Sequence, residues 1–173
     1  MKDRSAVLAA KAVRGDSNAF GELYSLFSSE MYRYALYHLG SEEAARDAVQ
    51  ETALQAFRSI VKLRNEAAAK SWFFGILCNV CKQSLREKYK ADFSPLELCE
   101  EIKASDSDTA QAIDLMRLIH ALDEQTREIV LLSIIGGYTS KEIASVTGTA
   151  PGTVRSKLSR TLESLRKQLE GQE

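Results

Sequence analysis

Residues 137–166 read GYTSKEIASVTGTAPGTVRSKLSRTLESLR, and this stretch has the pattern of a helix-turn-helix. Gly148 and Pro151 mark the turn, because glycine tolerates the positive φ that ends a helix and proline is accommodated in a helix's first turn. The first helix is predicted to end at Thr147, and the small side chain of Ala144 allows the second helix to pack closely against it.

The second helix of this pair has an apolar side and a basic side. Spacings of four, four and three residues predict a buried stripe made of Val154, Leu158, Leu162 and Leu165. The other side carries Arg155, Ser156, Ser159 and Arg160. Because arginine binds guanine edges in the major groove and hydroxyl groups hold phosphates, the pattern predicts binding to duplex DNA. The alternative is an ordinary helical hairpin whose charges are solvated.

Charge is distributed unevenly along the 173 residues, although the formal net charge is only -1. Residues 1–90 carry 14 lysines and arginines against 10 acids, residues 91–128 carry 3 against 10, and residues 129–173 carry 6 against 4. Local patches rather than total charge govern attraction to phosphates, so this composition is compatible with nucleic-acid binding.

Hydropathy and cysteine content limit the class of protein. No run approaches the roughly 20 apolar residues of a membrane helix, and the polar start MKDRSAV lacks the apolar core of a secretion signal. Three cysteines, an odd number, argue against a disulfide framework. We therefore expect a cytoplasmic protein that is not inserted into the membrane.

A helical period runs through nearly every long segment, and no strand pattern has comparable strength, so the chain is predicted to be all-α. The predicted helices span residues 5–13, 17–39, 42–60, 67–90, 110–122 and 125–135, followed by the helix-turn-helix. Residues 91–109 lose this period, contain Pro95 and collect acids and serines, as linkers do. The sequence therefore predicts two small helical domains, residues 1–90 and 110–173, joined by a flexible linker.

The predicted helix from Glu42 has two different sides. A rotation of about 100° per residue gathers one polar set, Asp47, Gln50, Glu51, Leu54 and Arg58. The apolar set lies mostly opposite and is expected to pack inward: Val49, Ala53, Ala56, Phe57 and Ile60. The polar set suits a basic partner helix, and the alternative is a plain solvated face.

The predicted helix from Ala67 is divided in the same way. Its core stripe is predicted to be Trp72, Phe73, Ile76, Leu77 and Val80, and the opposite side holds Gly75, Asn79, Lys82 and Arg86. Asparagine can both donate to and accept from a base edge, while lysine and arginine attract phosphates. Trp72 and Phe74 are candidate stacking platforms for single-stranded bases, although a core position is favoured for Trp72.

Motifs for catalysis or cofactors are lacking in the sequence. Cys78 and Cys81 form a C-x-x-C pair in the middle of a predicted helix, and only Cys99, His38 and His120 remain as further soft ligands, none at metal-site spacing. Neither a phosphate-binding glycine loop nor a serine nucleophile elbow is present. We therefore predict no catalytic residue, no cofactor and no metal, and we expect the two histidines to pack at helix ends or partner contacts.

Together these segments resemble a bacterial sigma factor of the extracytoplasmic-function (ECF) group, the small two-domain initiation subunits of RNA polymerase. Three stretches resemble sigma region 2, namely RGDSNAFGELYSLFSSEMYRYALYHLG at 14–40, DAVQETALQAF at 47–57 and KSWFFGILCNVCKQSLREK at 70–88. Two further stretches resemble sigma region 4, namely LDEQTREIVLLSIIGGYTSKEIA at 122–144 and GTVRSKLSR at 152–160.

The resemblance implies roles that the spacing alone does not supply. The set that docks on the β′ clamp coiled coil of core RNA polymerase is Asp47, Gln50, Glu51 and Leu54. The set that melts the minus-ten promoter element and traps a flipped base is Asn79, Lys82 and Arg86. The set that reads the minus-35 element is Thr153, Arg155, Ser156, Lys157, Ser159 and Arg160. An anti-sigma factor is a further expected partner, and polymerase performs the catalysis.

Several positions depart from the pattern of that group. Cys78 and Gly75 stand where relatives often carry basic residues, which implies weaker duplex opening and dependence on a close promoter match. Thr147 and Thr149 replace apolar residues around the turn. Two other interpretations of the function remain open: an autonomous helix-turn-helix regulator that binds DNA as a dimer, and a helical adaptor without a nucleic-acid role.

Overall fold

The computed structural model describes residues 2–90 and 110–171, and these residues form helices joined by short turns. The α-helices are α1 Lys2–Val13, α2 Ser17–Leu39, α3 Glu42–Ser59, α4 Ala69–Lys90, α5 Ala110–His120, α6 Glu124–Ile134, α7 Ser140–Thr147 and α8 Pro151–Glu170. Two short 3-10 helices, Ile60–Lys62 and Glu66–Ala68, connect α3 to α4. No strand occurs in the described ranges, so the all-α prediction is confirmed. The predicted linker at 91–109, with Pro95 and Cys99, lies outside the described residues.

Local side-chain caps fix where the helices of the first domain begin. Asp16 accepts a hydrogen bond from the backbone N–H of Ala19 at 2.9 Å and starts α2, and Ser41 does the same for Ala44 at 3.3 Å and starts α3. Gly40 has a φ of 72°, the left-handed conformation that ends α2. These caps turn the chain sharply between α2 and α3, so that the two helices pack side by side.

Helices α1 to α4 enclose an aromatic core. Leu23 and Met31 of α2 and Phe73 and Leu77 of α4 are completely buried. The ring of Phe73 lies 5.9 Å from that of Phe27, a distance typical of favourable aromatic pairs. The core therefore depends on α2 and α4 facing each other along their length.

The second domain contains the predicted helix-turn-helix. Thr139 and Glu142 form a reciprocal capping box that starts α7, and Gly148 ends it with a φ of 67°. Pro151 occupies the first turn of α8, as predicted, and Val154 is completely buried against the domain. Leu162 is exposed, so its predicted place in the buried stripe is wrong. Leu162 retains 39% of its accessible surface, whereas Leu165, three residues further along α8, is buried.

The two domains contact each other through several helices. Helices α5 and α6 pack against α2, and α7 packs against α4. At this junction the Tyr138 ring meets the Phe74 ring edge-on at a centroid distance of 5.4 Å. Both side chains are buried, so this contact joins the aromatic core of the first domain to the second.

Among the described residues, none of the helices combines the length and apolar character needed to cross a bilayer.

We predict that Gly148→Ala destabilises the protein by about 1 kcal/mol, because an alanine Cβ is disfavoured at a φ of 67°. The free energy of unfolding from urea titration measures this loss. Gly152→Ala is the matched control, since Gly152 lies in α8 with open space around it and needs no positive φ. Equal losses in the two variants would contradict the assignment of the turn to Gly148.

Candidate nucleic-acid and partner interfaces

The polar side of α3 faces solvent as the sequence predicts. Asp47, Gln50, Glu51 and Arg58 are exposed, and Leu54 among them retains 45% of its accessible surface. Val49 and Ala56 on the opposite side are buried in the core. The two sides of α3 are therefore distributed largely as periodicity indicates.

Phe57 is an exception, because the sequence predicts it to be buried and it is 54% exposed. Its ring meets Phe20 edge-on at 5.1 Å, and the rest of the side chain faces solvent. Val61, in the 3-10 turn that follows, is 66% exposed. Leu54, Phe57 and Val61 follow one another along one side of the chain, and periodicity within α3 alone did not predict the last two. We call the set Asp47, Gln50, Glu51, Leu54, Phe57 and Val61 the α3 surface.

A groove of about 490 Å³ lies between α2 and α3, directly beside the α3 surface. Its walls are mixed in character, with tyrosine rings, hydroxyls, one guanidinium and one carboxamide, from Tyr24, Ser28, Ser29, Tyr32, Arg46, Val49, Gln50 and Ala53. Gln50 belongs to both the groove and the α3 surface. The two features are therefore continuous at Gln50.

The outward side of α4 places the predicted minus-ten residues together. Asn79 and Arg86 are exposed, while Lys82 between them is partly covered. The Lys82 Nζ lies 2.9 Å from Glu128 Oε1 of α6, and the Glu128 side chain is only 2% exposed. The structure therefore brings the three residues onto one face, but it holds Lys82 in an ion pair with the second domain.

Two neighbours of these residues in α4, Phe74 and Cys78, are buried. Phe74 is completely buried, so it is not available as a stacking platform in this arrangement, whereas Trp72 is half-buried and packs edge-on against Phe73 at 5.4 Å. Cys78 lies inside the protein, where its thiol donates to the Tyr34 hydroxyl at 3.3 Å. Burial raises the pKa of Cys78 to about 12, so this thiol stays neutral.

The predicted recognition helix α8 presents most of its DNA-facing set to solvent: Thr153, Arg155, Ser156, Ser159 and Arg160. Lys157 points elsewhere. Its ammonium group donates to the Thr126 hydroxyl at 3.1 Å and lies 3.9 Å from the Asp123 carboxylate at the start of α6. Lys157 therefore holds α8 against α6 in this structure, while the other five residues are exposed to solvent.

A cluster of buried polar groups lies where α6 meets α2. Arg127 donates hydrogen bonds to backbone carbonyls of His38, Ile119, His120 and Leu122 at 2.8 to 3.3 Å. His38 is completely buried at the end of α2, and His120 ends α5, so both histidines lie at helix ends as expected. Arg127 and Glu128 are not predicted as functional residues from the sequence, where they stand out merely as two charges beside the apolar run IVLL.

Both histidines are held neutral in this cluster. Burial first, and then the charges of Arg127, His120 and Lys82, lower the pKa of His38 to about 3. Burial and the charge of Arg127 lower the pKa of His120 to about 4. Protonating either imidazole adds a positive charge next to a buried guanidinium, which disfavours the contact between the domains.

Comparison with known proteins gives the family. The family model for Sigma-70 region 2 matches residues 23–91, and the model for Sigma-70 region 4 matches residues 112–165. The ECF RNA polymerase sigma factor SigM of Mycobacterium tuberculosis is 31% identical over 156 residues, which cover 90% of this chain and 80% of that protein. The chain belongs to the ECF RNA polymerase sigma factors. The RNA polymerase sigma factor SigV of Bacillus subtilis is 30% identical to this chain, and the match covers 81% of this chain and 84% of SigV.

A solved structure shares the fold of this sigma factor. The sigma factor RpoE from Bartonella quintana, in complex with the anti-sigma factor NepR, superposes with a TM-score of 0.74. That match is 21% identical and covers 88% of this chain and 96% of RpoE. The predicted family and fold class are thus confirmed, whereas the roles of individual residues and the domain bounds stay predictions.

The two histidines give a pH dependence with a definite sign. Their folded-state pKa values lie below the unfolded value of 6.5, so the unfolded chain binds more protons between those values. We expect the free energy of unfolding, measured by urea titration, to have its highest value above about pH 6.5. It should decrease as the pH falls toward 4. His38→Leu places an apolar side chain at this position, so the free energy of unfolding of this variant should depend less steeply on pH. An unchanged slope would contradict the assignment.

Proposed function

We propose that this sigma factor binds core RNA polymerase through the α3 surface and directs it to promoters. In this proposal α4 opens the minus-ten element and α8 reads the minus-35 element. The α3 surface is the observation that carries the proposal. Leu54, Phe57 and Val61 remain exposed, although burying large apolar side chains is the main driving force of folding.

An apolar centre with a polar rim is the usual form of a protein-binding site, since a few desolvated side chains supply most of the affinity and the rim excludes water. Here the rim consists of Asp47, Gln50 and Glu51, whose two carboxylates suit a basic helix. The groove between α2 and α3 extends the contact past Gln50. These features support docking on the β′ clamp coiled coil.

At the minus-ten element, we propose that Asn79 holds an extruded base while Arg86 and Lys82 bind phosphates of the same strand. The asparagine side chain offers a donor and an acceptor to a base edge, and the cations supply attraction independent of sequence. Extruding a base costs a few kcal/mol, which binding to the pocket and strand offsets. In this proposal the sigma factor only binds DNA and neither makes nor breaks a covalent bond, so polymerase alone is the catalyst.

At the minus-35 element, we propose that the first turns of α8 enter the major groove. Arg155 is suited to a guanine edge, and the hydroxyls of Thr153, Ser156 and Ser159 to phosphates. Arg160 follows along the same exposed side, where its Nε donates to the Ser156 carbonyl at 3.2 Å. Lys157 takes part through position, because its contacts with α6 set the angle at which α8 projects.

Two further parts of the proposal concern partners and place. RpoE of Bartonella quintana is bound by an anti-sigma factor, and we propose that a protein of that kind also binds this chain. A subunit of bacterial polymerase works in the cytoplasm.

The matches in both halves of the chain favour the sigma factor over an autonomous dimeric regulator or a helical adaptor.

Transcription with purified core polymerase separates the two activities of the first domain. We expect Asp47→Ala and Leu54→Ala to weaken binding to core enzyme about tenfold each, as truncations at the centre of an interface do. We expect Asn79→Ala to bind core enzyme normally and to reduce open-complex formation, measured by permanganate reactivity of the promoter, by about tenfold.

Glu163→Ala is the control for these variants, because it removes an exposed carboxylate on α8 that pairs only with Lys167 in the described residues. It should transcribe like the unaltered chain. A polymerase-binding defect in Asn79→Ala, or none in Asp47→Ala and Leu54→Ala, would contradict the assignment of the two faces.

The minus-35 assignment is tested with a pair of arginines on α8. Arg155→Ala should lower transcription from a promoter that depends on its minus-35 element by about tenfold, since one arginine–guanine contact is worth about 1–3 kcal/mol. Arg166→Ala removes an equally charged, exposed side chain further along the helix, which pairs with Glu170, and should have little effect. Equal losses would show that total charge, not a base contact, matters.

A further inference from the structure

The half of α8 that we assign to the major groove has little apolar anchoring. All residues of α8 are described, and among them Val154 and Leu165 are buried, about three turns apart. Between them Leu158 is only partly covered. Within the described ranges, no side-chain hydrogen bond caps the start of the helix at Ala150. Val154 is therefore the one buried anchor of the first turns, and a single anchor does not fix the direction of a helix.

Polar contacts from the first turn of α6 supply the missing constraint. The Lys157 ammonium donates to the Thr126 hydroxyl at 3.1 Å and lies 3.9 Å from the Asp123 carboxylate. The same carboxylate caps α6 by accepting from the Thr126 backbone N–H at 3.0 Å. A hydrogen bond from the Thr126 side chain is the largest of the causes that lower the pKa of Asp123. We call Asp123, Thr126 and Lys157 the α6–α8 brace.

A further contact ties the same turn of α6 to the turn that precedes α8. The side-chain amide of Gln125 donates to the Thr149 hydroxyl at 3.4 Å. Thr149 lies before Pro151, and Lys157 lies in the second turn of α8, so α6 holds the chain on both sides of Val154. Two polar attachments and one buried pivot are enough to set the direction of the helix.

The brace distinguishes two cations that the sequence treats alike. Arg155 and Lys157 lie about 200° apart around the helix axis, so both flank the side that carries Val154. Arg155 is exposed, whereas Lys157 retains 26% of its side-chain surface and Thr126 is 7% exposed. Because a buried hydroxyl or ammonium without a partner is costly, Lys157 and Thr126 stabilise each other in this position.

From these contacts we propose that the first turn of α6 is a specificity-determining element of the minus-35 site, in which Thr126 and Asp123 position α8 through Lys157 without touching DNA. This inference rests on the proposed function, because the direction of α8 matters only if the helix reads bases. An arginine must lie in the plane of a guanine edge to bind it with two hydrogen bonds, whereas phosphate contacts tolerate a shift. Loss of the brace should therefore reduce base preference more than affinity.

The test uses two substitutions that keep shape and remove one polar group each. Thr126→Val removes the hydroxyl, and Lys157→Met removes the ammonium but keeps an unbranched side chain. The templates are barcoded copies of a promoter that the unaltered holoenzyme transcribes, with the minus-35 element randomised. We expect each variant to lower the discrimination between bases about fivefold, toward the low end of one base contact. The double variant should lose no more than either single variant, because both break one contact.

Salt dependence separates a positioning role of Lys157 from a phosphate contact. Each neutralised phosphate contributes about 0.9 to the slope of log affinity against log salt concentration. We expect Lys157→Met holoenzyme to keep the slope of the unaltered holoenzyme on a promoter duplex. A slope that decreases by about 0.9 would assign Lys157 to the DNA backbone and overturn the proposal.

Matched variants exclude a general loss of stability. Thr52→Val also removes a buried hydroxyl, which donates to the Ala48 carbonyl of its own helix at 2.7 Å, and it should keep the base preference. Thr126→Ser retains the hydroxyl and should behave like the unaltered chain. Lys167→Met removes an exposed ammonium that pairs with Glu163 near the end of α8, and it should change neither readout.

Hydrogen exchange of the free chain measures the brace without DNA or polymerase. The backbone amides of residues 154–158 should exchange about fivefold faster in Thr126→Val and Lys157→Met, as expected for one lost hydrogen bond, and at the original rate in Thr52→Val. Unchanged exchange, a retained base preference in Thr126→Val, or additive losses in the double variant would each overturn the brace. Transcription that ignores the minus-35 sequence even with the unaltered chain would instead overturn the proposed function of α8.

Discussion

Burial of one side of α4 determines what its other side presents. Phe73, Phe74 and Leu77 are fixed in the core of the first domain, so the helix cannot rotate. Asn79 and Arg86 consequently face outward, with Lys82 between them. The same helix also carries the contact with the second domain, through Phe74 and Lys82. One rigid element thus links the hydrophobic core, the surface that we propose binds DNA and the junction between domains.

The two surfaces of the first domain that we propose as binding sites differ in how accessible they are. The α3 surface lies away from the junction and is open in the free chain, whereas the α4 surface is partly occupied by Glu128. Under the proposed function, polymerase can therefore bind before DNA does. This order fits a specificity subunit, because a chain that bound nucleic acid strongly by itself would be diluted over the many nonspecific sites of a genome.

Much of this structure followed from the sequence, and the errors share one physical cause. Periodicity and caps gave the helices within a few residues, because Gly148, Pro151 and Ser41 act locally. Leu162 and Phe57 were placed wrongly because periodicity shows which residues share a side of a helix but not how far neighbouring helices cover each of them; Leu165 and Ile60, three residues further on, are buried. The roles of Glu128 and Lys157 in tertiary contacts could not be predicted, since each depends on a partner distant in sequence.

Association of the purified chain with bacterial core RNA polymerase tests the central claim most directly. Analytical ultracentrifugation of the mixture measures it without assuming a promoter sequence. The account predicts a one-to-one complex, formed through the α3 surface, at submicromolar concentrations. Sedimentation of the chain as a separate species at micromolar concentrations of both components would contradict it.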